Sequence, residues 1–333
     1  MSKKKLLLLI LLPLGLFFIS LFWGRFQIPP WTVIQVLFSH IFPIEHTWPD
    51  TIDAIVISVR LPRALLAMLI GAGLSISGAS FQGIFSNPLV SPDILGVTAA
   101  AGFGAAVAIL LGANSSLIQV SAFAFGIVGV ALSYLISRVY KTTPTLMLVL
   151  AGVIVAALFG ALTSATKYLA DPEAKLPAIT FWLMGSLASA SWKDVVRIIF
   201  PITIGSTVLL LLRWRLNLLA MGDAEARSLG VRTELLKGVI IVSTTLVSAA
   251  SVCVAGVIGW IGLIIPHVAR MIVGPDHRVL MPASMAIGAC YLLFIDDIAR
   301  TITAAEVPLG ILTAIIGAPF FAYLLRKTKG GWK

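Results

Sequence analysis

The chain has 333 residues, of which 59% are hydrophobic and 11% charged, with a formal net charge of +10. Soluble globular chains average about 45–50% apolar and about 25% charged residues, so this composition excludes an ordinary water-soluble domain. The long apolar runs predict helices, which satisfy their own backbone in lipid; the alternating segments of a β-barrel are absent, and the basic surplus reflects the positive-inside bias of a polytopic chain before nucleic-acid binding.

Lys3, Lys4 and Lys5 precede an apolar run over 6–23. A basic start and an apolar core resemble a secretory signal, but the run is long and no small-x-small cleavage site follows. It reads as a first span with its N-terminus in the cytosol. Residues 25–60 carry Pro29, Pro30, Pro43 and Pro49 and predict an external loop, with a helix on the membrane surface around 31–42. Further spans are expected at 62–84, 95–112, 117–138, 145–166, 195–214, 237–256, 258–273, 279–299 and 308–326. With the first they make about ten, each near the ~20 residues a bilayer needs; the stretch 258–273 is short for a full crossing. The expected fold is therefore all-α: one polytopic membrane domain over 1–333 with both termini cytosolic. Lys and Arg near the inner face outnumber those outside by roughly two to one, and Asp and Glu split the other way. The same count puts the polar stretch 217–234 in the cytosol.

Arg60-Leu61-Pro62-Arg63 stands at the outer mouth of the second span. Pro62 suits a first helical turn. The arginines either snorkel to headgroups or form an external site for an anion or a protein. The second span is rich in Gly and Ser, including Ser77 and Gly78, which permit close helix packing or line a wide path. It ends in Gln82, Asn87-Pro88 and Ser91-Pro92-Asp93, a broken segment that reads as an inner-face turn. An aquaporin half-helix would need Asn-Pro-Ala twice, and the chain has no second copy. Lys141 to Thr145 is a small polar inner turn. Residues 171–175 form an outer loop, and 181–187 a partial helix too short to span, with Trp182 and Trp192 in the aromatic belt.

Within 217–234, residues Asp223 to Leu229 predict a short helix. Asp223 stands where an N-cap accepts backbone N–H groups and Gly230 where a left-handed C-cap needs no Cβ. Acid at the start (Asp223, Glu225) and base near the end (Arg227) suit the helix dipole. The small Ala224, Ala226 and Ser228 leave a surface that another protein can approach. Taken alone, this is a capped surface helix joining two spans.

His267 has no ligand-type residue at helical spacing, so it reads as structural, and no metal site is expected. Asp296-Asp297 could suggest a magnesium-diphosphate site, but Arg300 lies at i+4 from Asp296 and predicts an ion pair. Cys253 and Cys290 fall in apolar spans and read as buried thiols. Motifs for a zinc protease, a serine hydrolase and a phosphate-binding loop are all missing. No catalytic residues are assigned, and any energy source must be a partner.

These markers, in order, resemble the FecCD-type permease subunits of bacterial ABC importers for ferric siderophores, haem and cobalamin. The resemblance rests on Arg60-Leu-Pro-Arg63, Gly78 through Gln82 to Asn87-Pro-Leu89, Pro92-Asp-Ile-Leu-Gly96, Trp182 to Leu187, Leu219 to Gly230, Gly262 to His267 with Arg270, Asp276-His-Arg278, Asp297 to Arg300, and Glu306 to Gly310 with Gly317-Ala-Pro319. It implies a ten-span, multi-pass subunit of the bacterial cytoplasmic membrane that pairs with a second permease, identical or homologous. Two ATPase subunits, which hold the ATP and Mg, dock from the cytosol, and a substrate-binding protein docks outside. This chain binds no cofactor itself. The resemblance places the coupling helix on Gly222, Asp223, Ala224, Glu225, Ala226, Arg227, Leu229 and Gly230. It places binding-protein docking on Arg60, Arg63 and Arg300, and a cytosolic gate on Thr142, Thr143 and Thr145, where Pro144 departs from the usual Ser/Thr run. It implies a translocation path past Ser77, Gly78, Gln82 and Asn87 and along the fifth span. The Ser91-to-Val97 variant is more similar to ferric-siderophore permeases than to cobalamin ones. An ion-driven carrier, the competing class, would put ionisable residues at mid-membrane, whereas here they sit mostly at span ends. An intramembrane enzyme would need a catalytic constellation, and none is present.

Overall fold

The computed structural model describes residues 3–138, 144–303 and 305–327. Among the described residues every regular element is helical: α1 (Lys3–Phe22), α2 (Pro30–Ser39), α3 (Asp50–Asp53), a π-helical stretch (Ala54–Arg60), α4 (Leu61–Ile84), a 3-10 turn (Pro92–Leu95), α5 (Val97–Leu110), α6 (Ser115–Ser137), α7 (Thr145–Leu169), α8 (Lys175–Met184), α9 (Trp192–Leu219), α10 (Asp223–Ser228), α11 (Thr233–Ala255), α12 (Ile261–Val273), α13 (His277–Ile302) and α14 (Leu309–Lys327). Six helical stretches among them are long and apolar enough to cross a bilayer: Asp50–Ile84, Ser115–Ser137, Thr145–Leu169, Trp192–Leu219, Thr233–Ala255 and His277–Ile302. α1, α5, α12 and α14 occupy the other expected spans, but their apolar stretches are shorter. α12, with 13 residues, rises only about 20 Å, less than a ~30 Å hydrocarbon core.

α4 is the central post, packed against α13, α9, α12 and α11. Its small residues explain the close approach. A β-carbon at Gly71 would collide with the Gly288 carbonyl, and one at Gly78 with the backbone of Gly262. Small-residue faces replace the hydrophobic drive that lipid removes. One apolar core lies at the end holding α1 and α2, with Leu21, Val33, Val36, Leu66 and Ile70. A second lies at the other end, with Phe81, Leu209, Leu216, Ala226, Ile240 and Met281.

Several expectations change. The external loop stops at Asp50 instead of residue 60, because 50–84 is one continuous helical stretch. Pro62 therefore stands inside a helix, directly after the wide π turns of 54–60. Proline supplies no N–H and crowds the preceding turn, and the wider spacing, with Leu61 N–H donating back to Val56, relieves that strain. The surface helix is present as α2, but Val33 and Val36 are fully buried against the bundle. Of the two thiols, Cys253 is buried and Cys290 only half-buried.

The partial helix appears as α8. Ile179 packs with Ala106 and Leu183 touches Gly102, so α8 runs antiparallel to α5 from the α5 C-terminus inward. It turns at Gly185, whose φ of +74° requires glycine. The turn is stitched by Ser186 N–H to Ala255 O (2.8 Å) and Leu309 N–H to Gly185 O (2.9 Å). The chain returns to Trp192, where Ser191 and Asp194 form a capping box that starts α9.

Candidate functional site

The polar stretch between α9 and α11 folds as the sequence predicts in its centre and differs at its start. The N-cap of α10 is Gly222, at φ +119°, with no side-chain cap. Asp223 does not cap. It is the first helical residue, and its carboxylate pairs with Lys237 on α11. Lys237 is only 1% exposed although it lies among Leu236, Ile240 and Ile241. A lysine is retained at such depth when it is paired, so this ion pair ties the knob to a membrane span. Sequence reading missed Lys237; the available signal was a lone base four residues into an apolar helix, facing an acid across a turn.

The far end of α10 is a Schellman motif: Gly230 N–H donates to Arg227 O (2.9 Å) and Val231 N–H to Ala226 O (3.1 Å). Gly230 has φ +82°, the left-handed value its position requires. Ala226 is buried against the inner core, while Ala224, Glu225, Arg227, Ser228 and Leu229 face outward. Leu229 is 59% exposed, an apolar tip on a charged knob.

The same end is braced by Asn217, at the foot of α9. Its amide donates to Asp276 Oδ1 (2.7 Å) and its carbonyl oxygen accepts from His277 N–H (2.9 Å). Asp276 is the N-cap of α13, accepting from Arg278 N–H. That backbone donor and the Asn217 amide hold the Asp276 carboxyl below the usual carboxylate range. Gln82 accepts from Arg270 (2.8 Å) and donates to Leu263 O (3.2 Å), joining α4 to α12.

The expected path residues divide. Ser77 and Gly78 are fully buried between helices, where α4 needs small residues to pack. Gln82 is also buried and hydrogen-bonded within the chain. Asn87 closes the turn after α4 by accepting from Leu89 N–H (2.9 Å). That turn is more than a plain inner-face connection. Its 3-10 segment is wedged against α7, where Gly152 leaves room for the Ile94 carbonyl, and Ser133 of α6 donates to Leu95 O (2.9 Å). Of the gate residues, Thr142 and Thr143 lie outside the described residues, and Thr145 is the first residue of α7 after Pro144.

At the opposite end, Arg60, Arg63 and Arg300 are 4%, 5% and 8% exposed. None of the three side chains stands free, and the charges of Arg63 and Arg300 are used inside the chain. Arg63 makes two forks, one to Asp296 (2.8 Å) and one to Glu306 (2.8 Å). Arg300 pairs with Asp297 at i+3 and donates to Ser20 O (2.7 Å). The expected Asp296–Arg300 pair is therefore replaced by two others, because Asp296 faces α4 and Asp297 faces α1. Arg60 donates only to carbonyl oxygens at the end of α1, Leu21 O (2.7 Å) and Phe26 O among them. Glu306, in the loop before α14, would be raised by its burial, but the Arg63 hydrogen bonds and charge outweigh this and hold it below the usual glutamate range.

The sequence matches the FecCD transport family over residues 8–327. It is 43% identical to the molybdate import system permease protein MolB of Haemophilus influenzae, covering 94% of this chain and 92% of that one. It is 43% identical to a probable iron chelatin transport system permease protein of Helicobacter pylori, covering 84% and 85%. Further relatives are described as cobalamin and hemin permeases. A solved structure described as an inward-facing conformation of a putative metal-chelate type ABC transporter superposes with a TM-score of 0.87 at 42% identity, covering 98% of this chain and all of the other. With α10 capped between two spans, a match over nearly its whole length and a superposable relative, this polytopic membrane protein belongs to the FecCD transport family.

Proposed function

We propose that this ABC-importer permease carries an iron(III) chelate across the bacterial cytoplasmic membrane, as one of two permease subunits. Two ATPase subunits grip α10 from the cytosol and a binding protein delivers cargo outside. The observation that carries the reading is the α10 knob: a helix closed by a Schellman cap, with an exposed apolar tip, tied by Asp223–Lys237 to a span. Such a knob passes displacement from a motor into the bundle without binding nucleotide itself. The ten-span count, the cytosolic termini and the gate at Thr142, Thr143 and Thr145 belong to the same proposal.

Docking outside is proposed at the Arg60, Arg63 and Arg300 end, with a division of labour. Arg63 and Arg300 already hold carboxylates, so they set the shape of the surface. Arg60 donates only to carbonyls, and its charge remains to attract an acidic partner. The path is proposed along α7, beside Asn87, at the contact with the second permease.

A molybdate cargo is the second reading, favoured by the MolB relative. Both readings are tested in proteoliposomes loaded with the cognate ATPase and supplied with binding protein. ATP-dependent uptake of ferric chelate, with none of molybdate, is expected; the reverse preference replaces the iron reading. In the same vesicles Gly230→Val strains the cap, and uptake falls while ATP hydrolysis continues. Unchanged uptake would remove α10 from the coupling role.

A further inference from the structure

Between the foot of α9 and the start of α11 lies an open groove of about 420 Å³. Its walls are apolar, with Leu212, Leu218, Leu235, Leu236 and Val239, and Arg215 and Arg232 stand at it together with Trp214. Both arginines are exposed, and among the described residues neither guanidinium has a hydrogen-bond or ion-pair partner. The apolar wall continues along the bundle through Leu211, Val239 and Val242, all exposed on faces of spanning helices. A basic mouth opening onto an apolar, lipid-depth wall, with an interfacial tryptophan beside it, matches one ligand chemistry: a phosphodiester head joined to acyl chains.

We infer that this groove holds an anionic phospholipid of the leaflet at the α10 end, its phosphate at Arg215 and Arg232 and its chains against Leu212, Leu235 and Val239. A second copy of this chain is disfavoured by charge, because a two-fold contact would set these arginines against their own images. A water-soluble phosphate would gain the charges but not the wall. Because Leu229, Gly230 and Val231 form one side of the groove, the lipid also touches the cap of α10. The site thus makes the knob's position depend on membrane composition.

The purified chain in detergent, titrated with phosphatidylglycerol or phosphatidylcholine and read by native mass spectrometry, tests this without transport or partners. Failure of the importer proposal therefore leaves the result untouched. Two guanidiniums at an anionic head predict a preference for phosphatidylglycerol of about thirtyfold. Arg215→Gln with Arg232→Gln abolishes the preference, and Arg278→Gln, an exposed arginine of the α13 start, leaves it intact. Inorganic phosphate at millimolar concentration does not displace the lipid. Equal affinity for the two lipids in the wild type overturns the inference. So does an equal loss in the Arg278→Gln control, which would mean diffuse charge alone, or displacement by phosphate, which would mean a soluble anion site. If the Arg215→Gln/Arg232→Gln variant keeps the lipid preference, the two arginines do not hold the head and the inference falls.

Discussion

Arg63 holds two acids at once, and the two are unequal. Asp296 is almost fully buried, whereas Glu306 is 27% exposed at its side chain. Removing one partner of a buried pair costs about 3–5 kcal/mol, because the other charge is left without compensation. Arg63→Ala should therefore lower the stability of the detergent-solubilised protein by that order, read from its thermal melt. A loss below about 1 kcal/mol, the range of surface pairs, would show that the cluster is hydrated. The Glu306 arm carries a pH signature. Its carboxyl is depressed in the folded chain, so its stabilisation is complete above the unfolded glutamate value of about 4.3. It is lost as pH falls through the lower folded value. Glu306→Gln should flatten this acid-side decline in melting temperature and leave the neutral range with a constant offset. A variant that melts with the wild-type acid profile rules out that linkage. These roles were hard to read from sequence. Arg60 to Arg63 stood out as a basic motif, but its acids lie more than two hundred residues away, and only the α4–α13 contact brings them together.

At the scale of helices, α4 shows how one composition supports two readings. Gly71, Gly73, Ser75, Ser77 and Gly78 suit a wide path or a tight seam, and spacing alone does not choose. The structure chooses the seam, since Gly288 and Gly262 press on the same face. Gly78→Ala should consequently disrupt α4–α12 packing and reduce the yield of folded protein. Gly160→Ala on α7, with open space around its position, should be neutral or slightly stabilising, as alanine is the better helix former by about 1 kcal/mol. Size-exclusion profiles of the two variants decide; equal behaviour would mean that the α4 contact is loose. Most helix limits were legible because apolar runs and Pro or Gly breaks mark them, as at Gly96, Gly185 and Gly274. The extension of α4 back to Asp50 was not. Pro62 looks like a start signal, and π geometry has no sequence mark.

For the whole molecule, the charge asymmetry predicts an orientation that puts α10 on the cytosolic side. A single cysteine at Glu225→Cys, in a background with Cys253 and Cys290 replaced, should react with a membrane-impermeant maleimide only in inverted vesicles. Labelling in intact, right-side-out cells would reverse the topology and remove α10 from the reach of any ATPase. Family membership and the all-helical bundle follow from composition and ordered motifs. Cargo does not, because relatives at similar identity are described for molybdate and for iron chelatin.

The π stretch Ala54–Arg60 has a consequence for chain length. Its wide turns accommodate a residue that a regular helix of the same rise would leave out. Shortening the chain by one residue between Ala54 and Val59 can thus be absorbed by tightening those turns, with Trp48 and Leu66 keeping their bearings. The same deletion between Leu65 and Phe81 has no slack to draw on, and every side chain beyond it swings by about 100° around the axis.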